Sequence, residues 1–189
     1  MKPLSTITII ALLAAPLALA SCGSVPTTQA EMNTKMDEVG PQAKKEIANM
    51  IAKDSTLKPL VDEAYGVIVF PSVASGALIL GGQGGDGVVF KGGQPWGLAK
   101  LAAGSIGFQI GGETFSELVI MKDEDAFNMV TANKFSFTAG LTASAVKAGA
   151  ALDAEFEHGV AAFVSTNGGL MASAAIGGQE ISCYPADVE

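Results

Sequence analysis

The 189-residue chain contains no arginine, and it has a single histidine, a single tryptophan and two cysteines. Each scarcity removes a class of function. Eleven basic residues, all lysine, stand against 19 acidic ones, for a net charge of −8. Such a chain lacks the cationic surface that neutralises nucleic-acid phosphates, so no nucleic-acid partner is expected. The same deficit argues against purely electrostatic adhesion to anionic lipid. His158, Cys22 and Cys183 cannot supply the several His or Cys ligands a zinc site draws on, and no metal or cofactor is expected. Asp123-Glu124-Asp125 offers weak calcium ligands, but helix capping accounts for it more simply. A Ser-His-Asp triad would need His158 as base, yet no GxSxG elbow is present, and no GxxxxGK[ST] phosphate loop either. His158 reads instead as a surface residue near a turn. Gly82-Gln83-Gly84-Gly85-Asp86-Gly87 has GxGxxG spacing. A dinucleotide site needs those glycines to open a helix, whereas strand-like Val88-Val89-Phe90 follows. A turn between strands is expected over 81–87, with no nucleotide. The chain is therefore expected to be non-enzymatic.

What is present begins at the N-terminus. After Lys2, residues 7–19 are almost unbroken in apolar character and end in Leu19-Ala20-Ser21-Cys22. The run is short for a membrane span, which takes roughly 20 residues. It reads as an export signal over 1–21. Small residues before a cysteine are the order of a bacterial lipobox, in which the Cys22 thiol accepts diacylglycerol. An ordinary cleaved signal and a buried helix are the other readings of this run. Removing 1–21 takes only Lys2 from the charges, so 10 basic residues face 19 acidic ones and the remainder carries −9. With Cys22 lipidated, Cys183 has no partner within the chain. Its strand-like surroundings, Ile181 to Tyr184, make it a small buried hydrophobe rather than a reactive thiol.

Residues 22–40 are polar and small and read as a lipidated tether. The body is expected over 41–189, a length that can bury a core. Gly40-Pro41 supplies a helix start. A helix follows over 42–53, with Ala43, Ile47, Met50 and Ile51 on one face and Lys44, Lys45 and Lys53 off it. Two placements are open. The few large residues favour packing on the helix's own domain; the alternative is an interfacial helix meeting membrane lipid through Ile47, Met50 and Ile51, flanked by Lys44 and Lys45. Residues 56–64 form a second short helical candidate, with Pro59 in its first turn. From Tyr65 onward, strand-length apolar runs alternate with glycine-rich breaks. One helix interrupts them over 123–133, capped by Asp123, with Ala126, Phe127 and Val130 sharing a face. The expected fold is α+β and mostly β: a curled or barrel-like antiparallel sheet, an N-terminal amphipathic helix and one inserted helix. Phe70, Phe90 and Phe108 read as core. Trp96 reads as core or as an interfacial anchor.

Four stretches occur in a specific order: AYGVIVFPSV at 64–73, GGQGGDGVVF at 81–90, Trp96-Gly97, and GSIGFQIGGETFSELVIM at 104–121. In order and spacing they resemble the SYLF domain, with a looser likeness from Gln42 to Tyr184. Ala145 to Ala150 departs from the family pattern in lacking the proline and arginine of its glycine-rich turn. The resemblance implies a non-enzymatic domain. Eukaryotic members bind lipid through an N-terminal amphipathic helix and a fungal member binds actin; bacterial members resemble envelope lipoproteins. Gly23-Ser24 after Cys22, with no aspartate, resembles the pattern of outer-membrane sorting. These features together lead to the expectation of a lipid-binding outer-membrane lipoprotein facing the periplasm, with surface exposure also open. The alternative is an envelope lipoprotein with a structural or protein-binding role and no lipid site in its domain.

Overall fold

The computed structural model describes residues 25–76, 82–104, 114–133, 136–137, 156–166, 169–173 and 179–187. Helices α1 (Gln29–Lys53) and α2 (Leu57–Glu63) precede strands β1 (Gly66–Gly76), β2 (Gly82–Lys91), β3 (Gln94–Gly104) and β4 (Thr114–Met121). Helix α3 (Glu124–Thr131) leads to β5 (Ser136–Phe137), β6 (Val160–Thr166), β7 (Gly169–Ser173) and β8 (Gln179–Pro185). All strands join one antiparallel sheet in the order β5-β8-β3-β2-β1-β4-β6-β7. The architecture is α+β and mostly β, with the N-terminal helix and the inserted helix in place.

Helix α1 corrects the expected tether. It starts at Gln29 rather than Gln42, so residues 29–40 belong to the folded body. Two physical reasons account for this. Thr28 and Glu31 form a capping box: the Thr28 side chain accepts from the Glu31 amide, and the Glu31 carboxylate accepts from the amides of Thr27 and Thr28. The same apolar stripe then runs through Met32, Met36, Val39, Ala43, Ile47 and Met50, at three- and four-residue spacing along the whole helix. Gly40-Pro41 lies inside the helix rather than before it. Pro41 removes one backbone bond, but the usual clash of a proline with the β-carbon before it is absent, because Gly40 has none.

Both faces of the sheet are buried. Along β4, Phe115, Val119 and Met121 join one apolar cluster and Leu118 and Ile120 the other. That is why β1, β4 and β6 read as continuous apolar runs instead of alternating ones. Helices α1 and α2 cover one face with Met32, Val39, Met50 and Leu57. Helix α3 contributes Ala126, Phe127 and Val130 to the opposite face.

That opposite face is concave. Strands β8 and β4 are separated by β3, β2 and β1. In a flat sheet four spacings would hold them about 19 Å apart. Gln179 on β8 nevertheless donates to the Glu117 carboxylate on β4 at 2.6 Å. Chain length sets a second limit. Only six residues of chain lead from Ser173 at the end of β7 to Gln179. They reach at most about 21 Å, whereas six strand spacings in a flat sheet would need about 29 Å. The sheet is thus strongly curled, as expected, though it does not close into a barrel. The bend has a local basis in β1, whose register shifts between Val69 and Ala74 against β2 and between Phe70 and Val73 against β4. Gly87 makes room for it: a β-carbon there would lie 2.6 Å from the Val69 carbonyl oxygen and 2.5 Å from the Phe70 ring.

Two further expectations change. Gly82 to Gly87 is not a turn; it pairs within β2, against β1 and β3. The real hairpin turn is Gly92-Gly93, with φ of +54° and +77°, which matches the twist of a two-residue connection between β2 and β3. Strand β3, with its alanines and lysine, lacks the β-branched signature, but pairing on both sides makes it central. The expected strand at 105–112, Phe108 and most of 134–146 lie outside the described residues.

The helical reading of 29–40 makes a direct prediction. Met32 is fully buried under α1. Met32→Ala should lower unfolding free energy by about 2–5 kcal/mol in denaturant melts. A flexible tether at this position would give no change.

Candidate functional site

The residues expected to touch lipid lie on α1, and the structure separates them. Met50 is fully buried against the convex face of the sheet, while Ile47 and Ile51 are half-buried and pack on the same cluster. Lys44 and Lys45 are exposed on the outer side. Met50 as a lipid-facing residue is therefore corrected: the apolar stripe of α1 meets the sheet, the placement in which the helix packs on its own domain. Polar contacts fix the helix across the strands. Gln29 donates to the Ala186 carbonyl at 2.8 Å, Ser116 on β4 bonds Glu46, and Lys53 donates to Ser165 on β6 at 2.6 Å. Near the start of the helix, Asp86 lies 3.1 Å from Lys100 and 3.9 Å from Lys35. A hydrogen bond to Glu38 holds the Lys35 ammonium above its ordinary range. Cys22 lies outside the described residues. No described helix is long and apolar enough to cross a membrane.

The concave face carries the feature that sequence reasoning missed. Glu117 is completely buried, and one of its carboxylate oxygens has no hydrogen-bond partner. The other accepts from Gln179. Burial pushes the carboxyl up to about 7, against the smaller opposing effect of the Gln179 bond. The signal in the sequence was faint: one acidic residue in the otherwise uncharged run of β4. Its partner is 62 positions away, so no local pattern joins them.

The remaining candidates find structural roles. Cys183 on β8 is buried, and burial pushes its thiol up to about 12, which makes it an unreactive hydrophobe. His158 is exposed in the turn before β6, with φ of +50°. Asp123 caps α3 by accepting from the Ala126 amide at 2.9 Å, and Glu124 accepts from the Tyr65 hydroxyl. Among the described residues no group of His, Cys, Asp or Glu has the geometry to hold a metal. Trp96 is half-buried and meets Phe127 edge to face at 5.5 Å; Tyr65 meets the same ring at 5.7 Å. Lys91 stands over Tyr65 and Phe127 in cation–π contact. The GxGxxG segment opens no helix, so it offers no dipole or amide nest to a pyrophosphate. No protein-family model and no curated protein matches the chain.

Two measurements follow. Ile47→Asp combined with Ile51→Asp should sharply lower the thermal midpoint in circular dichroism, because carboxylates would replace apolar contacts on the sheet. An unchanged melt would mean that α1 does not pack there. Glu117 holds its proton more tightly folded than unfolded. Its neutral form therefore supports the fold below about pH 4.5, and that support is lost as pH rises to about 7. The loss is on the order of 3 kcal/mol across that window. Glu117→Gln should flatten this decline and be the more stable form at pH 8; denaturant melts at pH 5 and pH 8 give the comparison.

Proposed function

We propose that the protein is a non-enzymatic, membrane-associated lipoprotein of the bacterial envelope, anchored through acyl chains on Cys22 and facing the periplasm from the outer membrane. One observation carries this reading: the Leu19-Ala20-Ser21-Cys22 order lies directly upstream of the folded body, six residues before the Thr28 cap of α1. Six residues of extended chain reach about 20 Å at most. An anchored domain would ride close to the bilayer on the end where Gln29 meets Ala186. Val25, three residues after Cys22, is the exposed large hydrophobe of the described surface. Lipid contact by the body is thereby assigned to the neighbourhood of the anchor rather than to Ile47, Met50 and Ile51. The likeness to SYLF domains agrees with a lipid-associated, non-enzymatic role.

A second reading has its own support. The α1 stripe is buried and its outer side is polar, which favours a structural or protein-binding envelope lipoprotein without a lipid site in the body. Vesicle flotation of the chain without residues 1–21 and carrying Cys22→Ala separates the two. Flotation would place a lipid site in the body, and its absence would leave the anchor as the whole of the lipid interaction.

Lipidation itself has a plain test. Mass spectrometry of the protein from bacterial membranes should show an N-terminal diacylglyceryl-Cys22, and Cys22→Ala should lose both the lipid mass and the cleavage before residue 22. Finding Met1 intact, or a mature N-terminus at another residue, would end the lipoprotein reading.

A further inference from the structure

We propose that Glu117 and Gln179 form a proton-dependent clasp across the concave face, held more firmly while Glu117 carries its proton and opening more often once it ionises. The geometry of the curl carries this inference. The bond joins strands that pairing alone keeps three strands apart, so it ties β8 directly to the far side of the sheet. The turn after α3 makes a separate tie at the other end of β8, where the Asn133 side chain accepts from the Cys183 amide at 2.7 Å. Gln179 sits at the opposite end. Among the described residues, β8 pairs there with β3 on one side and with Ser136 and Phe137 of β5 on the other. The clasp therefore ties the Gln179 end of β8 to β4 across the curl.

Among the described residues, no cation meets a charge at Glu117. From β1, β2, β3, β6 and α3, only apolar side chains of the described residues enter the buried cluster on this face. Strand β8 adds Gln179 and Cys183, and burial holds the Cys183 thiol neutral. A carboxylate with one amide donor and one unpartnered oxygen is costly in such surroundings. Opening the clasp lets water reach it. Ionisation and opening are then linked: the group titrates near 7 when closed and near 4.5 when solvated. From pH 5.5 to pH 8.5 this raises the open population about 30-fold, with most of the change below pH 7 and a plateau above.

Amide hydrogen exchange on the full chain reads this opening. The probes are the amides of β5 and of the Gln179 end of β8, after correction for intrinsic exchange rates. Low urea separates local opening, which is insensitive to it, from global unfolding, which is not. The expected result is a local opening about 30-fold more populated at pH 8.5 than at pH 5.5, and no such change in Glu117→Gln. Exchange through global unfolding alone, an equal local population at both pH values, or the same rise in Glu117→Gln would overturn the clasp. Should Glu117→Gln fail to fold, the wild-type Glu117 carboxyl carbon shift, followed by NMR from pH 4 to 9, decides. A midpoint that coincides with the exchange midpoint near 7 supports the clasp, and a midpoint elsewhere overturns it.

Discussion

The fold rests on the bend of its central strands. Phe70 turns into the concave face where β1 breaks register, and it does so over a position in β2 that carries no side chain. Without that vacancy the Val69 carbonyl and the Phe70 ring would be pushed off Gly87, and the sheet would flatten. A flatter sheet would part β8 from β4, leaving Gln179 and Glu117 without each other. It would also spread the apolar side chains that now bury one another across the curl. Curvature here substitutes for a second sheet: one layer folds over itself and forms its own core.

The convex side has the opposite problem, since a bent sheet cannot cover its own outer surface. Helix α1 solves it by length. Its twenty-five residues cross from Ala186, beside β3, to Ser165 on β6, and one apolar stripe is enough to seal the strands beneath. That use of the stripe bears on membrane association. An amphipathic helix has a single apolar side, and here the domain occupies it. What remains outward is Lys44, Lys45 and their polar neighbours, which interact with water or headgroups but do not insert.

Much of this was readable from the chain alone. The strands rich in valine, isoleucine and phenylalanine, the Asp123 cap of α3 and the inert character of Cys183 follow from local pattern. So did the curl, through the density of glycine. Helix α1 was half legible. Gly40-Pro41 has the look of a boundary, while the capping box at Thr28 and Glu31, the better start signal, lies in a stretch whose small polar residues suggest a linker. Strand β3 was lost because alanine and lysine say little about strand formation when pairing on both sides decides the matter. Glu117 was barely legible. Its significance depends on a partner brought near by curvature, and curvature is a property of the whole sheet.

The bond between Gln29 and Ala186 spans 157 positions and joins the first described helix to the end of the last strand. The order of synthesis gives this a kinetic meaning. Helix α1 is made before the strands it covers, and part of the surface beneath it does not exist until β8 has been made. Contacts of such long sequence separation form slowly, because the loop between them must be closed before they contribute. The packing of α1 is consequently incomplete until the last described strand has been made, which suits a protein that, as proposed, is exported before it folds.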